Sequence, residues 1–292
     1  MLSWILAGVE YSLSDGVYCY RHGDSGMGGA PMHRLEERGP LQHGITDLGF
    51  RLDARVIQLI LGLEAPTQTE LYVKRAQLAR MFPPGAAGAL RWTLGGVIRQ
   101  IDGYLLEGMD FSSQDRAGLW QRTAVILKCA DPTWYDPAGQ ALTFELGGGG
   151  TGTPVPTPVP TPVGASAIAS SIAINYAGDW MSYPHLIRLT GPLTDPEINN
   201  LTTGETLPFN GTIAAGHYYD IDLRYGYKTV VDETGVNKIS TLDAGHDLAT
   251  WHLAAHPEAM GGVNVIEVTA SAVNEVSAVQ ISWLDRYMTP GG

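Results

Sequence analysis

Apolar residues in the second half of the chain recur at every other position. Ile172, Ile174 and Tyr176 do so; Tyr219, Ile221, Leu223, Tyr225 and Tyr227 follow with Asp220, Asp222 and Arg224 between them, and Val279, Ile281 and Trp283 repeat the pattern. Successive side chains of a strand point to opposite faces, so a period of two predicts half-buried strands. Gly191-Pro192, Asn199-Asn200, Asn210-Gly211 and Thr234-Gly235 supply turns between them. That spacing predicts an antiparallel sandwich or jelly roll, without a helix of any length.

The first half is also mostly β. Residues 11–21 read as a hairpin that turns at Ser14-Asp15-Gly16, and residues 45–52, 56–63, 90–94, 97–106 and 120–129 read as further strands rich in aliphatic and β-branched side chains. One segment has a different period. Thr67 with Glu70 three residues on forms a capping box, Leu71, Leu78 and Phe82 share a helical face, and Pro83-Pro84-Gly85 stops the run. This predicts one helix over residues 67–82, lying on a sheet.

Between the halves stands TGTPVPTPVPTPVG, residues 151–164. Each proline fixes φ and removes a backbone donor, so the stretch predicts a polyproline II spacer that spans roughly 28 Å from Pro154 to Pro162 at about 3.1 Å per residue, with pliable glycine ends. The expected organisation is a first domain at 1–146, a Gly/Pro-rich linker at 147–166 and a second domain at 167–292. With 292 residues, 44% of them hydrophobic, the chain has material for two cores.

Charge narrows the partners. Residues 1–146 carry 13 Lys/Arg against 16 Asp/Glu, and residues 167–292 carry 5 against 14. Phosphate neutralisation needs clustered cations, so sequence-specific nucleic-acid binding is not expected. Cys19 and Cys129 are the only cysteines, too few for a disulfide framework or a four-thiolate site. The apolar start, Leu2 to Val9, meets Glu10 at once and lacks a basic flank, so neither a signal peptide nor membrane insertion is expected.

Several short constellations invite chemistry. HGDSGMGG, from His22, resembles the surroundings of a serine nucleophile, but Ser25 has no room upstream for a general base and its orienting aspartate. His252 and His256 have the i, i+4 spacing of a helical metal pair, yet Leu253 stands where a zincin has glutamate. Asp220 and Asp222 share one face of a strand and suit either Ca²⁺ or a solvated surface. Trp180, Tyr183 and Trp251 suit either a sugar-stacking platform or core anchors. No catalytic, cofactor-binding or metal residues are assigned, and the carbohydrate-binding residues stay unassigned.

Longer phrases point to a family. LEERGPLQHGITDLGFRLDARVIQLIL, YLLEGMDF and RTAVILKCADPTWYDP in the first half, with GDWMSYPHLIRLTGPLTDPEINNLTTGETLPFNGTIAAGHYYDIDL, YGYKTVVDETGVNKIS, DLATWHLAAHPE and GGVNVIEV in the second, resemble the distal tail protein (Dit, the baseplate hub) of long-tailed non-contractile bacteriophages. The resemblance implies a mainly β protein, with a ring-forming, tail-tube-like β-sandwich carrying one helix and then a galectin-like β-sandwich outside the ring. It further implies a homohexameric, non-enzymatic hub at the virion tail tip, assembled in the bacterial cytoplasm. The implied partners are the tail tube protein, the tail-tip hub protein and receptor-binding proteins or a host glycan, with a lumen that passes DNA. Arg51, Arg55, Arg75 and Arg80 are then expected in contacts within or between subunits rather than on the lumen. The alternative is a lectin-like sandwich protein that mediates adhesion to the host surface.

Overall fold

A computed structural model describes residues 1–14, 18–146, 168–274 and 276–291. They form two compact units, Met1–Pro137 with Tyr287–Gly292, and Ala138–Arg286. The chain is mainly β, as expected, with one α-helix among the described residues.

The first unit is built on an antiparallel sheet. Its strands run in the spatial order Val9–Ser12, Leu2–Leu6, Ala87–Leu94, Val97–Leu105, Trp120–Cys129, Arg55–Glu64 and Tyr18–Ser25. Arg55–Glu64 and Trp120–Cys129 pair along their whole lengths, from Cys129 opposite Arg55 to Trp120 opposite Glu64. Ile57, Leu59, Leu61 and Leu63 alternate into the core, where they meet Val125, Leu127, Leu90 and Ile101. The helix Gln68–Met81 closes that core with Leu71, Leu78 and Met81; the Thr67 side chain caps it by accepting from the Glu70 amide at 3.3 Å. Trp4 fixes the far end of the helix. Its indole donates to the Met81 carbonyl at 2.8 Å, and its ring lies 4.9 Å from that of Phe82.

The first hairpin is not the expected one. Val9–Ser12 pairs with Leu2–Leu6, whereas Tyr18–Ser25 pairs with Arg55–Glu64 at the opposite edge of the sheet. The turn that forms is Ala7-Gly8, with φ of 49° and 79°. Two consecutive positive φ values match the right-handed twist of flanking strands, so this two-residue turn closes the tighter hairpin. Asp15 and Gly16 of the expected turn lie outside the described residues.

The second unit is a sandwich. One sheet has the order Gln140–Glu145, Ala278–Trp283, Leu186–Thr190, Tyr218–Asp222 and Thr229–Asp232; the other has Ile168–Asn175, Val263–Ala270, Glu197–Asn200 and Glu205–Pro208. Ile187, Leu189, Ile221, Val279 and Ile281 from the first share one core with Ile198, Leu207, Ile266 and Val268 from the second. The predicted alternation holds through Ile221 and Leu223, then fails: the strand ends at Asp222, and Tyr225 and Tyr227 are exposed in the following turn.

The expected linker, residues 147–166, lies outside the described residues, but both of its flanks are described. Gln140–Glu145 and Ile168–Asn175 both belong to the second unit, one in each sheet. The Pro-rich strap therefore joins two strands of one sandwich, and the chain passes between units at Pro137–Ala138 and Arg286–Tyr287 instead. The expected boundary at 146 moves because residues 140–145 find backbone partners on Ala278–Trp283.

Candidate functional site

Two features of the first unit stand apart from its apolar core: an exposed hairpin and a buried arginine. The first is a two-stranded hairpin, Met32–Glu37 paired with Thr46–Leu52, hydrogen-bonded to no other strand among the described residues. Met32 lies opposite Leu52, and Arg34 opposite Phe50 with its guanidinium 5.8 Å from the ring centroid. Leu48 and Gly49 absorb a register shift between the Arg34–Phe50 and Glu36–Asp47 pairs; Gly49 takes φ of 105° there, and its amide donates to Asp47 Oδ1 at 3.0 Å. Met32, Leu35, Ile45, Leu48 and Phe50 are all exposed, and Leu41 beyond the strands is 95% exposed. An isolated two-stranded ribbon is marginal in water, and this one and its loop expose six large apolar side chains.

The second is the Arg55 side chain. It is 1% exposed and meets no carboxylate among the described residues: Nε donates to the Pro132 carbonyl at 2.7 Å, Nη1 to Gly26 and Gly28 at 2.8 and 2.5 Å, and Nη2 to Met288 at 2.8 Å. Four backbone oxygens from three separated segments thus converge on one planar fork, which only arginine offers. Burial lowers the Arg55 pKa from its ordinary value. Gly26 is required for the approach: its φ is +82°, and a Cβ there would stand 2.0 Å from the Val56 carbonyl oxygen. Tyr287 is held nearby in the chain by Arg99, whose guanidinium lies 3.6 Å from the ring centroid.

The other sequence candidates resolve differently. Ser25 is exposed at the end of its strand; the side chain of His22 lies outside what is described. His252 and His256 are in a loop, not on a helix, so the i, i+4 spacing brings no metal pair together. His252 is instead held by Glu205, 3.1 Å from Nδ1, and by Glu258, 3.5 Å from Nε2. Burial opposes its protonation, but Glu205, the Thr250 carbonyl and Glu258 outweigh it and raise its pKa. Asp220 is paired bidentately with Arg188 at 2.7 Å twice, and Asp222 with Arg224. Each carboxylate faces its own arginine, which leaves no Ca²⁺ pair, and no group of three or more potential metal-ligating side chains occurs among the described residues. Trp251 is fully buried and Trp180 and Tyr183 are half-buried, so the three do not form a stacking platform.

Of the four arginines, Arg51 reaches Asp53 at 3.4 Å, Arg75 stacks between Tyr72 and Phe111 and bonds Gln121, and Arg80 is exposed in the last turn of the helix. Cys129 is a buried free thiol whose pKa burial pushes up to about 12, which makes it unreactive. Among the described residues no helix is long and apolar enough to cross a membrane.

No family model matches the sequence, and no curated protein does. Solved structures do match. The Dit protein of phage SPP1, described as a paradigm of the hub adsorption apparatus in phages infecting Gram-positive bacteria, superposes with a TM-score of 0.64 at 13% identity, covering 98% of this chain and 99% of that one. The phage P2 baseplate in its Ca- and Sr-activated conformations gives TM-scores of 0.46 and 0.48 at 9% identity, over 98% and 97% of this chain. Over almost its whole length, the chain has the fold of a Dit baseplate hub protein.

Proposed function

We propose that the chain is a structural hub of a phage tail tip, which assembles through its first unit into a homohexameric ring. The observation that carries this reading is the hairpin Met32–Leu52, whose apolar side chains are exposed in the single chain. A contact between two different patches, repeated around an axis, closes into a ring. The hairpin as an arm and the body of the next copy as its seat make such a contact. Covering a Leu or Phe side chain stabilises by about 1.5–3 kcal/mol, so several covered together hold a ring. The full-length likeness to the SPP1 protein supports the same reading.

In this reading the ring joins the tail tube protein to the tail-tip hub protein, its lumen passes DNA, and the second unit faces outward toward receptor-binding components. The role is structural, without catalysis. Because Trp251 is buried and Trp180 and Tyr183 are half-buried, the adhesion lectin is not retained as a second reading. The test is the native mass of the purified full chain: six times the 31.3 kDa chain mass is expected, and a monomer at every concentration overturns the ring.

A further inference from the structure

In the second unit, the turn after Asp222 presents a lysine in an unusual setting. Lys228 Nζ lies 4.2 Å from the ring centroid of Tyr183 and 5.2 Å from that of Tyr225. The two rings meet edge to face at 4.7 Å, and their hydroxyls are 2.9 Å apart. The amine is buried and has no hydrogen-bond partner. Lys228 also takes φ of 45°, a left-handed conformation that a side chain disfavours. Glu205 and Asp222 attract the charge, in a half of the chain with 14 acidic residues against 5 basic.

Two π faces with a carboxylate field behind them make an aromatic cage for a cation. Lysine suits it poorly. A primary ammonium carries three N–H donors, and burying them without acceptors is unfavourable. A cation that has no N–H loses nothing there. Burial accordingly drops the Lys228 pKa to about 8, against the pull of Glu205 and Asp222. Tyr225 is 72% exposed, so one wall of the cage opens by rotation of a solvent-facing ring.

We propose that the Tyr183–Tyr225 cage is a binding site for quaternary ammonium groups, and that Lys228 is its internal, displaceable occupant. This goes beyond the hub reading and does not depend on ring formation.

The test uses the full chain and tetramethylammonium chloride, with sodium chloride at equal ionic strength as control. Lys228→Gly empties the cage and relieves the positive φ, so it preserves the fold. It is expected to bind tetramethylammonium at least about ten-fold more tightly than the parent, and a further Tyr225→Ala is expected to abolish that gain. In the unmodified chain, tetramethylammonium displaces Lys228, so acetylation at Lys228 rises severalfold while Lys74, Lys128 and Lys238, the other three lysines, are unchanged. A Lys228→Gly chain that binds no better than the parent, or Lys228 labelling indifferent to tetramethylammonium, overturns the proposal. Soluble choline and phosphatidylcholine vesicles, titrated in parallel into Lys228→Gly, tell a polymer-borne group from a lipid headgroup; either upholds the cage, and binding of neither overturns it.

Discussion

Arg55 shows how one side chain can hold distant parts of a sequence together. Its guanidinium serves the carbonyls of Gly26, Gly28, Pro132 and Met288, and a buried carbonyl left without a donor costs about 1–3 kcal/mol. Arg55→Met should therefore destabilise the first unit by at least about 3 kcal/mol, read as a lower urea midpoint. Arg55→Lys should recover only part of this, since an ammonium is a compact point donor without the planar fork. The sequence placed Arg55 among contact-forming arginines but gave no sign of its partners, because backbone oxygens have no residue identity to read. Asp220 and Asp222 were legible as an outward-facing pair from alternation. Arg188 is legible as the partner of Asp220 only once strand register sets the two opposite, whereas Arg224 stands two residues from its partner Asp222.

His252 adds a pH dependence at the same scale. Its folded pKa is raised, so its contribution is complete below the unfolded value of about 6.5 and disappears as pH rises through the folded value. Glu205 has a lowered pKa: burial works against ionisation, but His252, Thr203 and Thr250 outweigh it. Its contribution is present above the unfolded value of about 4.3 and is lost as pH falls through the folded one. Together these two groups contribute most to the stability of the second unit between these limits. In His252→Gln the decline on the alkaline side should vanish, as checked by thermal melting across pH.

At the scale of elements, the helix Gln68–Met81 was readable because its signals are local: a cap, a stripe and a proline stop. The hairpin Met32–Leu52 was half readable. Residues 46–52 have strand character, but Met32–Glu37 ends in Glu36-Glu37, lacks alternation and is exposed throughout, and a strand without a buried face leaves no period to detect. The hairpin is the element on which assembly is proposed to rest, so changes there should separate folding from association. Leu41→Ser and Phe50→Ser alter exposed side chains and should shift the melting temperature little. They should reduce the oligomer to smaller species in light scattering. Loss of folding in these variants would instead make the hairpin part of the core.

For the whole molecule, the proline strap at residues 151–164 reads as a domain boundary in the sequence and itself lies outside the described residues; the units divide elsewhere. Local propensity does not say which strands pair; that is decided by non-local contacts, here Gln140–Glu145 on Ala278–Trp283. The first unit is therefore discontinuous. A chain cut after residue 146 should be less stable than one in which residues 138–286 are replaced by a short Gly/Ser connection, because only the latter keeps Tyr287 on Arg99 and Met288 on Arg55. Urea denaturation of the two fragments compares them directly. The acidic balance carries a separate expectation: assembled rings should show no tight, salt-sensitive binding to duplex DNA at low ionic strength.

That discontinuity also sets an order of events during synthesis. A ribosome releases residues 1–137 early, but Arg55 waits for Met288, which emerges only after the whole second unit has been translated. The intervening sandwich can fold while its host is still missing a piece. Chains that stall or are cleaved before Met288 lack the oxygen that completes the Arg55 fork, so they should enter no ring and poison none. Co-expression of such a truncated chain with the intact one should leave the intact assembly's yield and composition unchanged.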